Sequence, residues 1–266
     1  MAVPGGPGRE APLLEAIDIS KYFGAVTALE KVNFSLFQGE VLGVVGDNGA
    51  GKSTLMKMLS GLYAPSEGRI LFEGRPVRFS SPRDARDVGI EMVYQDLALA
   101  GNMPIFENIY LGREPGRRIL GIDIVNGARA REMAAAHLDR LHIHVKSVEQ
   151  NVEELSGGQQ QAVAIARATA FDARVVIMDE PTAALAVKEV GKVLDLIRSL
   201  KEHGVSVILI SHRMDDVFYV CDRVMALFHG RNFAEAPIAE TNRNEVIGWI
   251  MGTKGHTEAL AHDRVQ

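Results

Sequence analysis

Cysteine is nearly missing: Cys221 is the single one in 266 residues. One thiol can close no internal disulfide and build no cysteine-based zinc cluster, so a reducing compartment is expected. A basic excess is missing too. Lys and Arg number 29 against 34 Asp and Glu, for a formal net charge of -5. Nucleic-acid binders normally carry a basic face, so nucleic acid is not an expected partner. No charge-free apolar run approaches the ~18 residues that span a bilayer; Asp96 and Glu107 bracket only residues 97–106. The opening MAVPGGPGRE holds Pro and Gly but no apolar stretch, so it does not read as a secretory signal. What is present is a globular mixture, 47% hydrophobic and 24% charged. That excludes global disorder and suffices for one large domain or two small ones. The chain is expected to stay in the cytosol, in solution or against a membrane partner.

Residues 1–12 and 253–266 read as loose tails around an ordered 13–252. Within it, Val41–Val45 is a short apolar run, followed by Leu55, Met58, Leu59 and Leu62 at the spacing of one helix face. Val175–Met178 and Val205–Ile210 are two more strand-length apolar runs. Between them Val190, Val193, Leu194, Ile197 and Leu200 mark another helix face. Continuous apolar strands separated by amphipathic helices predict an α/β fold whose mostly parallel sheet is covered on both faces. Val32–Phe37 and Arg69–Phe72 alternate polar with apolar and predict an antiparallel β edge. From Ser80 to Leu155 the pattern is mainly helical, with Ala134, Leu138 and Leu141 on one face and no strong strand after Val93.

Gly46, Asp47, Asn48, Gly49, Ala50, Gly51, Lys52 and Ser53 fit G-x-x-x-x-G-K-[ST] between the Val41–Val45 strand and the Leu55 helix. Together with Thr54 they form the candidate phosphate-binding segment. Glycines let backbone N–H groups approach a triphosphate closely, and the helix start adds unpaired donors and a positive dipole end. Lys52 supplies a charge toward the outer phosphates, and the Ser53 hydroxyl can ligate Mg2+. Asp179 ends the Val175–Met178 strand, where ligands of an open α/β sheet gather. It is a candidate Mg2+ ligand, and Glu180 a candidate base for an attacking water. Ser156, Gly157, Gly158 and Gln159 open a helix of small residues and present a second set of backbone donors. A plain Ser N-cap with a glycine turn fits that spacing as well.

With these three elements in this order, the chain resembles the ATP-binding cassette family of transporter ATPases from about Leu13 to Gly252. Leu155–Gln159 matches the family signature, which other phosphate-loop ATPases lack. The resemblance implies a phosphate-loop NTPase core, an antiparallel β edge and a helical subdomain over about 96–170. It makes Gln95 the Q-loop glutamine, touching Mg2+ or the attacking water. It makes His212 the switch histidine, and Phe23 the ring stacked on adenine, with Tyr22 second and a core aromatic as the competing reading. ATP and Mg2+ are the implied ligands. GDNGAGKSTLMKMLSG, VYQDLAL and MDEPTAALAVKEV are similar to the monosaccharide-importer branch in its single-cassette form.

That branch implies several partners: an identical second cassette, a transmembrane permease and, through it, a periplasmic or extracellular sugar-binding protein. It also implies a place at the cytoplasmic face of the inner membrane. Two readings compete: a soluble cassette ATPase of the iron–sulfur assembly type, and an importer subunit for another small solute. The chain departs from the family at Ala186, where the D-loop often carries Asp, and at Gln160, where relatives often carry Arg or Lys. His142 and His144 read as surface or strand residues, Trp249 as part of a packed C-terminal helix, and Cys221 as a buried filler.

Overall fold

The computed structural model describes residues 11–119 and 122–253. Apart from residues 11, 12 and 253, the expected tails lie outside the described residues. Strands β1 (Leu14–Phe23) and β2 (Val26–Leu36) pair antiparallel, with Leu14 opposite Leu36. Leu29, Val32, Phe34 and Leu36 of β2 are buried. Strand β3 (Val41–Val45), buried along its whole length, leads through the glycine-rich loop into α1 (Lys52–Leu59).

That helix stops sooner than the spacing of Leu62 predicts. Gly61 takes a φ of +78°, and the Leu62 N–H donates to the Lys57 carbonyl at 2.8 Å while Gly61 N–H donates to Met58 at 3.1 Å. This is a glycine-terminated helix end, and it leaves Leu62 45% exposed. Strands β4 (Glu67–Phe72) and β5 (Arg75–Val77) then complete a sheet ordered β2-β1-β4-β5.

After α2 (Pro82–Asp87) and β6 (Ile90–Val93) comes α3 (Ile105–Tyr110). The next segment departs from the mainly helical expectation. Strands β7 (Gly116–Ile119) and β8 (Ile122–Val125) form an antiparallel pair. A four-residue strand is too short to print a period, so alternation could not have revealed it. Helices α4 (Gly127–Arg140) and α5 (Gly157–Thr169) follow, and α4 buries Ala134 and Leu138 as the spacing predicts.

The chain then alternates through β9 (Val175–Asp179), α6 (Val187–Glu202), β10 (Ser206–Ile210) and α7 (Met214–Val220). It ends with β11 (Arg223–Phe228), β12 (Arg231–Pro237) and α8 (Arg243–Ile250), which buries Trp249. The large sheet is ordered β12-β11-β3-β10-β9-β6 and is parallel except for β12. Its two faces feed different cores. Val41, Val45, Val176 and Met178 join one cluster, and Leu42, Val44, Val175 and Ile177 the other. Burial on both faces is why these strands read as unbroken apolar runs.

A buried guanidinium ties the antiparallel edge to this sheet. Arg223 donates to both Glu40 oxygens, at 2.7 and 2.9 Å, and to the Ser35 carbonyl at 2.7 Å, and it pairs with Glu235. In register, Val44 and Asp179 both lie beside Ile210, and Val93 beside Met178. The carboxyl ends of β3, β10, β9 and β6 therefore open on one edge of the sheet.

Candidate active site

The loop from β3 to α1 is shaped by glycines that no other residue can replace. Gly46 has a φ of +152°, and a Cβ there would lie 2.4 Å from the Leu227 carbonyl oxygen. Gly51 has a φ of +99°, with Leu29 Cδ2 2.5 Å from where its Cβ would be. The loop is thus pressed between β11 and β2. Gly230 N–H donates to the Ala50 carbonyl at 3.1 Å, closing that side. Gly49 faces open space, with nothing within 4 Å of its Cβ position. This is the cradle shape that close backbone approach to a phosphate chain requires. Asn48 N–H donates to the Asp47 carboxylate at 2.7 Å, and Ser53 and Thr54 sit in the first turn of α1.

Lys52 Nζ donates to the carbonyls of Gly46 at 2.7 Å and Asp47 at 3.0 Å, which holds the ammonium at the mouth of the loop. Burial pulls its pKa below the ordinary lysine range, while Glu180, Asp179 and Asp47 pull the other way. Asp179 ends β9 beside it. Burial, and then the Glu180 charge, push the Asp179 carboxyl above the usual carboxylate range, with Lys52 opposing. Glu180 follows with a φ of +52°, a left-handed conformation that costs a non-glycine residue ~1–3 kcal/mol and persists only where its surroundings enforce it. Its backbone N–H donates to Ile210 at 3.0 Å. Its buried Oε2 has no directed hydrogen bond but lies 2.7 Å from His212 Nδ1, an ion pair when the ring is protonated. His212 itself is exposed just past β10, and Gln95 is exposed just past β6.

The Lys52 loop, Gln95, Asp179, Glu180 and His212 therefore share one edge of the sheet. The Ser156 turn belongs to another element. Ser156 caps α5: its hydroxyl accepts from Gln159 N–H at 3.3 Å, and its own N–H donates to the Gln159 side chain at 3.1 Å. The N-cap reading of this turn is thus realised, and two of its donors face an acid. Hydrogen bonds from the Ser156 hydroxyl and then the Gly158 amide hold the Glu189 carboxyl below its usual range. Among the described residues, no hydrogen bond or ion pair joins this turn to the phosphate loop.

Phe23 is 43% exposed, which sets aside the core-aromatic alternative. Its ring stands edge-on to Tyr63 at 5.3 Å, with Lys21 Nζ also 5.3 Å from its centre. Tyr22 instead donates its hydroxyl to Glu67 at 3.3 Å. Gln160 donates to the carbonyls of Val152 and Leu155 at 3.1 and 3.3 Å, a local structural role. Ala186 begins α6 with no side-chain cap.

The donor set at the sheet edge is a hydroxyl, a carboxylate and an amide, all hard oxygen donors of the kind Mg2+ takes with substrate phosphates. Among the described residues no group of three or more His, Cys, Asp or Glu could hold a metal by protein ligands alone. The raised Asp179 has a testable consequence. A carboxyl whose folded pKa exceeds its unfolded value begins to destabilise the fold as pH rises through the unfolded value, and does so fully above the folded one. Asp179→Asn is therefore expected to melt higher than the wild type at neutral pH in the absence of nucleotide. That gain should vanish below the carboxyl's unfolded range. Melting curves across pH check it; equal melting at neutral pH would contradict the assigned burial cost.

The profile of the ABC transporter family matches residues 29–183. The chain is 47% identical over 88% of its length to the xylose/arabinose import ATP-binding protein XylG of Sulfolobus acidocaldarius, covering 92% of that protein. It is 44% identical over 92% of its length to the fructose import ATP-binding protein FrcA of Rhizobium meliloti, covering 96% of it. Among solved structures it superposes on the dimeric post-hydrolysis state of the ATP-binding cassette MJ0796 bound to ADP and Pi. The TM-score there is 0.70, with 26% identity over 85% of this chain and 98% of that one. A family profile over more than half the chain, and relatives this similar along nearly all of it, arrive at the same answer as the geometry: the chain belongs to the ABC transporter family, as one of its ATP-binding cassettes.

Proposed function

We propose that this chain is the ATP-hydrolysing subunit of a monosaccharide importer, acting as a pair of identical cassettes against a permease at the cytoplasmic face of the membrane. The observation that carries the catalytic half is the Glu180–His212 pair, 2.7 Å apart, on the same sheet edge as the Lys52 loop. The names of the xylose/arabinose and fructose import relatives support the sugar half.

On this reading the backbone N–H groups of Gly46–Thr54 and the start of α1 hold the phosphates, and the Phe23 ring stacks on the adenine. Lys52 turns its ammonium from the loop carbonyls to the outer phosphates, where its charge opposes what develops during transfer. Ser53, Asp179 and Gln95 are the residues that would hold Mg2+, which when bound neutralises phosphate charge. Glu180 orients the attacking water and accepts its proton; His212 holds Glu180 and reaches the terminal phosphate. The Ser156–Gln159 turn of the partner copy closes the far side, and ATP acts as an interface ligand that favours the joined state. The dimeric MJ0796 cassette supports this pairing.

A cavity of about 250 Å³ between α2, β6 and α3 is the proposed docking site for the permease. It is lined by Arg86, Tyr94, Leu111, Arg113, Arg167 and Phe171. Leu111 and Tyr94 are exposed there, next to Gln95, so nucleotide-driven movement of Gln95 would be felt at the groove. The sugar, delivered by an external binding protein, never touches this chain. The test is copurification. A multispanning membrane protein should come with the chain and, with sugar-loaded binding protein, speed its phosphate release; soluble scaffold proteins in its place would overturn the importer reading.

A further inference from the structure

Asp216 is a carboxylate that the catalytic reading leaves unused, and it is almost wholly buried, in the first turn of α7. A buried carboxylate is costly unless it is paired. Its partners flank the catalytic pair. The Thr182 hydroxyl, also fully buried and two residues after Glu180, donates to Asp216 Oδ2. Arg213, the residue after His212, places Nε 3.6 Å from the same oxygen. The Arg213 N–H in turn donates to the buried Ser211 hydroxyl at 3.0 Å. One carboxylate thus joins the segment leaving β9 to the segment leaving β10.

We infer that the Thr182–Asp216 hydrogen bond is a clamp that positions Glu180 against His212 for hydrolysis. This rests on the catalytic role proposed for that pair. The geometry explains the need. Glu180 sits at a φ of +52°, which its own chemistry disfavours, and Pro181, next in sequence, can donate no backbone hydrogen bond. Past the Glu180 N–H bond to Ile210 at 3.0 Å, Thr182 is the first side chain anchoring the strained residue on its far side. Without that anchor Glu180 can relax toward an ordinary backbone conformation, and its carboxylate leaves the position 2.7 Å from His212. Asp216 and Thr182 touch no substrate; they are positioning residues.

The experiment measures turnover at saturating MgATP, the KM for ATP and the melting temperature of the full chain, with Glu180→Gln as reference. Thr182→Val, which keeps the shape and removes the hydroxyl, is expected to lower kcat roughly 10-fold or more with KM unchanged, the scale on which small misplacements act. Thr182→Ser, which restores the hydroxyl, should restore kcat. A merely structural role would move melting without separating Ser from Val in kcat. Normal turnover in Thr182→Val, or a loss that Ser does not repair, overturns the clamp. Should Thr182→Val fold poorly because it strands the Asp216 carboxylate, the double variant Thr182→Val/Asp216→Leu removes both polar groups and carries the same test. In it, slow turnover upholds the clamp and normal turnover overturns it. If Glu180→Gln itself hydrolyses normally, the catalytic reading fails and takes the clamp with it. A slow Glu180→Gln beside a normal Thr182→Val sinks the clamp alone.

Discussion

Glu180→Gln is expected to bind ATP as the wild type does and to turn it over at least ~100-fold more slowly, the low end of what a general base contributes. The substitution is nearly isosteric, so the strained backbone at φ +52° and the surrounding packing have no reason to change. What disappears is a group able to take a proton from water, together with the ionic part of its contact with His212 at 2.7 Å. Lys52, Ser53 and the loop amides remain, which is why affinity should hold while chemistry fails. Phosphate release under saturating ATP, with affinity measured separately, reads the two effects apart. Turnover near the wild-type rate would remove Glu180 from the role.

The second large effect is expected at the other glycine-rich turn. Ser156→Arg should leave ATP binding by a single chain intact and still lower turnover at least ~100-fold, the scale of losing one preorganised donor. Ser156 and Gly157 are exposed, and no contact ties the turn to the phosphate loop of its own chain among the described residues. In the isolated subunit a bulky cation there removes the N-cap of α5, a cost of ~1 kcal/mol, and the Ser156 hydroxyl's hydrogen bond to the Glu189 carboxyl. The buried face of α5, with Val163, Ile165 and Ala166, keeps the helix in place. Reduced turnover with unchanged affinity is the signature of a residue that serves a nucleotide held by another chain. Unchanged turnover would place Ser156 outside the site.

Where a strand is buried on both faces, its unbroken apolar run announces it. Val41–Val45, Val175–Met178 and Val205–Ile210 all fall in or on strands of the parallel sheet, and the loop after β3 turns on the glycines that mark its motif. Short or late elements were less legible. The β7–β8 pair has four residues a side, and in the edge strand β12 Arg231, Asn232 and Glu235 interrupt any apolar run. Leu62 fits a helical spacing, but Gly61 ends the helix before it, and periodicity alone cannot weigh that.

Contacts between distant residues were not legible at all. Arg223 meets Glu40 across 183 positions, and Thr182 meets Asp216 across 34. Nothing local in sequence reports such a pairing, because burial of the two groups together decides it. The same limit held for Glu189, whose carboxyl faces the Ser156 turn and carries no motif.

Covalent capture reads the pairing of two copies across one nucleotide most directly. Cys221 is buried against Gly43 and its thiol is pushed far up by burial, so introduced cysteines would react alone. Asn48, within the first glycine-rich loop, and Glu154, beside the second, are both exposed. In a Glu180→Gln background, Asn48→Cys/Glu154→Cys should form an intermolecular crosslink with a short bifunctional reagent when ATP and magnesium are present, and little without them. Crosslinked dimer that rises with ATP is the predicted result. A chain that binds ATP yet stays uncrosslinked would contradict a site built from two subunits.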